Sequence, residues 1–128
     1  MSLNDAYNFI EGNYNIDSQK GRELRYILDS YKLKPKVYIA YDRLAYQGVN
    51  DFRITLDFNV RYKTQNVRLE NPNNTQKLLE DGYYLMEVKA SNAYPTWIIE
   101  ALSKYKIYPI SFSKYGNIYK KLMSERMI

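Results

Sequence analysis

Five charged residues in two short stretches set the chemistry open to this chain. In FRITLDFNVR, residues 52–61, Arg53, Thr55, Asp57, Asn59 and Arg61 alternate with Phe52, Ile54, Leu56, Phe58 and Val60. An extended backbone would therefore carry two arginines and an aspartate on one face. In LMEVK, residues 85–89, Glu87 and Lys89 lie two apart and share a face with Tyr83 and Leu85, leaving Tyr84, Met86 and Val88 opposite. Arginine's planar fork matches phosphate, and a carboxylate can hold the divalent metal that bridges phosphate oxygens. Arg53, Arg61, Lys89 and Glu87 would together supply both parts. Alternation also describes an ordinary sheet face in water, with acidic and basic residues in weak cross-strand pairs. The pattern alone leaves both readings open.

A second candidate is SFSKYG, residues 111–116. If Ser113 caps a helix, Lys114 stands in its first turn, where the helix dipole disfavours a cation unless an anion is also present. Free N–H groups at such an end suit phosphate. If the helix begins later, near Asn117, Lys114 is a solvated side chain.

Composition removes several classes. Cysteine and histidine are both absent, which excludes disulfides, thiolate metal sites, cysteine nucleophiles and the usual general base near neutral pH. Any metal must be held by oxygen, which points to Mg²⁺, Mn²⁺ or Ca²⁺. Nineteen Lys+Arg against fourteen Asp+Glu give a net charge of +5, spread from Lys20 to Arg126, which favours anionic partners. There is no glycine-rich phosphate loop, zinc spacing or nucleophile elbow. Fifteen tyrosines near basic residues raise single-stranded nucleic acid as a minor alternative without an RNP-like motif. No apolar run is long enough for a transmembrane helix, and the N-terminus lacks the pattern of a signal peptide, so a cytoplasmic protein is expected.

These candidates need elements to position them. At 128 residues the chain suits one domain. Asp17 or Ser18 is a good N-cap for a helix carrying Leu24, Ile27, Leu28 and Tyr31 and ending before Pro35. KVYIAYDRLAY, residues 36–46, reads as a strand, with a turn at 47–50 and residues 52–61 as its antiparallel neighbour. An Asn-rich loop around Asn71–Asn74 follows, then a short helix over residues 75–82 and a strand over 83–91. YPTWIIEALSKY, 94–105, is a helix with Pro95 at its first position. Residues 106–113 form a short extended segment, and Tyr115, Ile118, Tyr119 and Leu122 mark a last helix fraying after Met123. The order is α+β with an antiparallel sheet.

YDRLAY (41–46), FRITLDFNVR (52–61), LMEVKASNAYPTWIIEAL (85–102) and SFSKYGNIY (111–119) resemble, in order and spacing, the C-terminal half of the VTC domain. That is the polyphosphate polymerase domain of the vacuolar transporter chaperone complex and its bacterial relatives, within the triphosphate tunnel metalloenzymes. The resemblance implies an antiparallel β-tunnel with basic side chains inside, flanking helices, and a phosphate-chain ligand with Mg²⁺ or Mn²⁺. Carried over by motif, Arg43, Arg53, Ser113 and Lys114 look like phosphate contacts and Glu87 like the metal ligand. Lys89 and Arg61 join them from their strand faces. The resemblance covers residues 23–123, leaving 1–22 poorly assigned, with residues 1–3 read as foreign to the domain, and 124–128 as a tail.

The expected function is thus binding of polyphosphate or nucleoside triphosphate by a partial tunnel, within a parent that transfers phosphoryl groups. This chain alone is expected to bind weakly without turnover. A non-catalytic polyanion-binding module is the alternative. Exposed sheet edges would invite pairing of two copies.

Overall fold

The computed structural model describes residues 1–126, which form four helices and four strands. The expected mixture of helices with an antiparallel sheet is present. The chain divides into two compact units, Met1–Lys36 and Val37–Ile128.

The first unit is a pair of helices, α1 (Leu3–Glu11) and α2 (Gln19–Tyr31). Helix α1 lies in the stretch that the sequence reading left unassigned. Its start is a reciprocal cap: the Asp5 N–H donates to Ser2 Oγ at 3.1 Å, and the Ser2 N–H donates to Asp5 Oδ2 at 3.0 Å. These bonds hold the exposed Asp5 carboxyl below its ordinary range. Gly12, with φ 87°, closes the helix in the left-handed region. Ser18 caps α2 by accepting from the Gly21 N–H at 3.0 Å. Gly21 is buried against Ile16, whose carbonyl oxygen would collide with any added Cβ. Phe9 is the buried apolar residue of this unit, with the Arg25 guanidinium 4.5 Å above its ring.

The second unit holds the sheet. Strand β1 (Tyr38–Gln47) runs antiparallel to β2 (Arg53–Lys63), as expected for the hairpin. On the other side of β2, β4 (Leu85–Lys89) pairs with Arg53–Asp57, and the two-residue β3 (Gln76–Lys77) pairs with Arg61 and Tyr62. A short helix was expected over residues 75–82. Its place is taken by β3, because the edge of β2 beyond β4 offers free backbone groups that the Leu78 and Leu79 N–H groups also use, both bonding to the Val60 carbonyl. The four strands form an open sheet rather than a closed barrel.

Helix α3 (Thr96–Lys104) places Pro95 at the cap rather than at the first helical position, and α4 (Lys114–Arg126) starts at Lys114. Between α3 and α4, residues 106–113 form no strand. Lys106 sits at φ 54°, and Pro109 has no N–H to give a ladder. The core of this unit gathers Tyr38, Phe52, Val60, Tyr62, Ile98 and Ile118, all buried, with Phe52 edge-on to Trp97 at 5.7 Å.

One irregularity in β2 governs which side chains share a face. Asp42 pairs with Phe58, but Ala40 pairs with Arg61, so Asn59 and Val60 together oppose Tyr41. This is a β-bulge, with Asn59 in the left-handed region at φ 49°. The extra residue shifts the alternation by one beyond Phe58.

Candidate functional site

Partners across an antiparallel ladder point to the same side of the sheet. The register therefore puts Arg43, Asp57 and Leu85 in one row, Ala45, Thr55 and Glu87 in the next, and Gln47, Arg53 and Lys89 in the third. These rows form the cationic face. Leu44, Leu56 and Met86, with Tyr46, Ile54 and Val88, line the reverse.

The centre of the cationic face is Asp57. Its side chain is buried, at 4% exposure. Arg43 donates to it twice, from Nε to Oδ1 at 2.6 Å and from Nη2 to Oδ2 at 2.8 Å. Lys114, arriving from the first turn of α4, donates from Nζ to the same Oδ2 at 2.7 Å. The Tyr41 ring lies under both cations, 5.0 Å from the Arg43 guanidinium and 4.3 Å from Lys114 Nζ. The Arg43 bonds, then those from Lys114, hold the Asp57 carboxyl below its ordinary range although burial opposes them. Conversely, the Asp57 bond raises the Arg43 guanidinium further above its already high value.

Helix α4 begins at Lys114, not near Asn117, because Ser113 caps it: Ser113 Oγ accepts from the Gly116 N–H at 3.1 Å. A cation in that first turn calls for an anion, and within this chain Asp57 supplies it. Among the described residues the Ser113 hydroxyl donates to no acceptor, so Ser113 retains a donor beside Lys114.

Glu87 and Lys89 are both half-exposed and pair with each other at 2.8 Å. That bond, with the charges of Lys89, Arg43 and Lys114, holds the Glu87 carboxyl below its ordinary range. Arg53 lies opposite Lys89 on the ladder, and among the described residues its guanidinium has no hydrogen-bond or ion-pair partner. A cavity of about 590 Å³ beside this face is lined by Gln47, Asp51, Arg53 and Lys89. A second, of about 600 Å³, wraps the edge of β4, with Asp57, Glu87 and Lys114 on one side and apolar residues including Met86, Val88 and Ile107 on the other.

Of the residues picked out in the sequence, Arg43, Arg53, Glu87, Lys89 and Lys114 come together on this face, with Ser113 adjacent in α4. Arg61 does not. Strict alternation places it beside Arg53, but the bulge at Asn59 turns it to the reverse face, where its Nη1 lies 3.8 Å from Asp42 and donates to the Asn59 carbonyl at 2.9 Å. The residue that sequence reading undervalued is Asp57. It appeared as one polar position among five, and its only local signal was a carboxylate set between arginines.

Among the described residues, no group of three or more Asp or Glu side chains is placed to hold a metal ion, and no helix is long and apolar enough to cross a membrane. The metal ligands on offer are Glu87, which has a second carboxylate oxygen outside its bond to Lys89, and Asp57, which is already engaged by two cations.

No curated protein and no solved structure matches the chain. The family model for the VTC domain matches residues 2–123, including helix α1, which lies outside the 23–123 span of the motif resemblance. With that match across nearly its whole length, and with the motif residues Arg43, Arg53, Glu87 and Lys114 on one sheet face, the chain belongs to the VTC domain family.

Proposed function

We propose that the cationic face binds the phosphate chain of polyphosphate or of a nucleoside triphosphate, together with Mg²⁺ or Mn²⁺. The observation that carries this reading is the convergence of Arg43 from β1 and Lys114 from α4 on one buried carboxylate, beside the guanidinium of Arg53, which has no partner among the described residues. Fixed cationic donors recognise phosphate oxygens at little ordering cost. Counting Arg43, Arg53, Lys89 and Lys114 against Asp57 and Glu87 leaves the face net positive. The Ser113 hydroxyl is a further donor. Arg61, on the reverse face, is not part of the ligand set.

Glu87 is the residue that would hold the divalent ion. Mg²⁺ and Mn²⁺ commonly take one or two protein carboxylates and complete their shell with water and substrate phosphate. One carboxylate is therefore sufficient when the ligand itself is a phosphate chain. Lys89, Arg43 and Lys114 lie around Glu87 and would disfavour a free cation there, so the phosphate chain would have to offset their charge for Glu87 to hold a metal. A divalent ion held at Glu87 would supply charge neutralisation of the phosphate chain. In this reading the open sheet is one wall of a phosphate tunnel, within a parent that transfers phosphoryl groups. A second copy of the chain is the proposed cover for the outer edge of β1.

A metal-independent polyanion-binding face is the second reading, favoured by the pairing of Glu87 with Lys89. Titration with tripolyphosphate, with and without Mn²⁺, separates the two. The first reading expects Mn²⁺ to strengthen binding and Glu87→Gln to remove that gain, a loss of roughly tenfold or more. Salt-steep binding indifferent to Mn²⁺ selects the second. A stronger response to a single-stranded oligonucleotide than to tripolyphosphate would overturn both.

A further inference from the structure

We infer that Asp57 is a positioning residue of the phosphate-binding face, holding Arg43 and Lys114 at the spacing the ligand requires. This rests on the proposed function of the same face. Oδ2 of Asp57 accepts from Arg43 Nη2 at 2.8 Å and from Lys114 Nζ at 2.7 Å. The two nitrogens thus cannot lie farther apart than those two bonds laid end to end, although both carry positive charge and belong to different elements. Without the carboxylate, their repulsion and the freedom of two long side chains would separate them.

The bonding leaves each cation partly available. Arg43 spends Nε and one Nη2 proton on Asp57, so Nη1 remains a donor, and Lys114 spends one of three protons. Their side chains are 38% and 24% exposed, while that of Asp57 is 4% exposed. The carboxylate is hidden behind the donors it orders and does not confront the ligand. The arrangement costs long-range attraction, since Asp57 cancels one positive charge, and gains donors that are already in place.

Positioning and simple electrostatics predict opposite signs for one substitution. Asp57→Asn makes the face more positive by one charge. Charge alone would strengthen tripolyphosphate binding, whereas loss of positioning weakens it. We expect roughly tenfold weaker binding by calorimetric titration at fixed salt. We also expect the losses from Asp57→Asn and Lys114→Met to be less than additive when combined, because part of the effect of Asp57 passes through Lys114 while the rest passes through Arg43. Asp57→Glu repeats the test without altering charge, since it moves the carboxylate away from both cations, and it too should weaken binding roughly tenfold. It carries the test should Asp57→Asn not fold, as monitored by circular dichroism. Equal or tighter binding by folded Asp57→Asn, unchanged binding by folded Asp57→Glu, or fully additive losses would overturn the inference. Failure of the unsubstituted chain to bind tripolyphosphate at any salt concentration would instead overturn the functional reading beneath it.

Discussion

At the scale of single residues, Asp57 ties acid stability to the cationic face. Its carboxyl is held below the ordinary value of 3.8, chiefly by Arg43 and then by Lys114. A group whose pKa falls on folding favours the folded state above its unfolded pKa, and that contribution fades as pH drops through the folded value. The stabilising effect of Asp57 should therefore be complete at neutral pH and disappear on acidification below the ordinary aspartate range. Asp57→Asn is expected to lower stability by about 2 kcal/mol at neutral pH, with the difference closing in acid. Urea unfolding of both proteins across pH checks this, and a gap that widens in acid would contradict it. Lys63 is a second residue whose importance depends on its surroundings. It is buried at the end of β2, its ammonium donates to the carbonyls of Asn71 and Asn73, and it lies 4.9 Å from the centre of the Tyr38 ring. In the linear sequence it is one of many lysines, whereas in the folded unit it fastens the Asn-rich loop to the sheet.

At the scale of elements, the bulge at Asn59 decides the composition of both sheet faces. Asparagine tolerates the left-handed region better than most residues, and here its Nδ2 also donates to Asp42 at 2.9 Å. A β-branched residue at φ 49° is strained. Asn59→Val should therefore destabilise the second unit by about 1–2 kcal/mol, and Asn59→Gly by less, since glycine retains the backbone geometry and loses only the side-chain bond. Chemical denaturation of the two variants measures the order, and a more stable valine protein would show that the left-handed geometry is not required. The hairpin and α2 were legible because each follows from its own alternation or caps. Helix α1 was not read from the sequence, although the Ser2-to-Asp5 spacing and Gly12 mark a start and a stop around it. Strand β3 had no such signal. Two residues become a strand only because a partner edge lies next to them.

At the scale of the whole molecule, the second unit keeps a long open edge. Among the described residues the outer side of β1 has no strand partner, and residues 41–47 are exposed throughout. Such an edge is a template for pairing. An antiparallel match of two copies with Leu44 opposite Leu44 would set Asp42 against Tyr46 and Arg43 against Ala45, so no like charges would meet. It would join two cationic faces side by side. Sedimentation over a concentration series should reveal a dimer, and Leu44→Lys, placing like charges at the axis, should abolish it without loss of folding. A monomer at the highest concentrations would exclude this cover for the edge.

The sequence by itself determined the α+β pattern, most helix and strand positions and the family, because these follow from local spacing and from residue motifs that do not depend on through-space partners. It also singled out Arg43, Arg53, Glu87, Lys89 and Lys114 before any geometry was known. Only the tertiary structure decided that Arg61 faces away and that Asp57 stands at the centre. A single inserted residue changes the face of every side chain beyond it, and a carboxylate gains its meaning from cations 14 and 57 positions away in the chain.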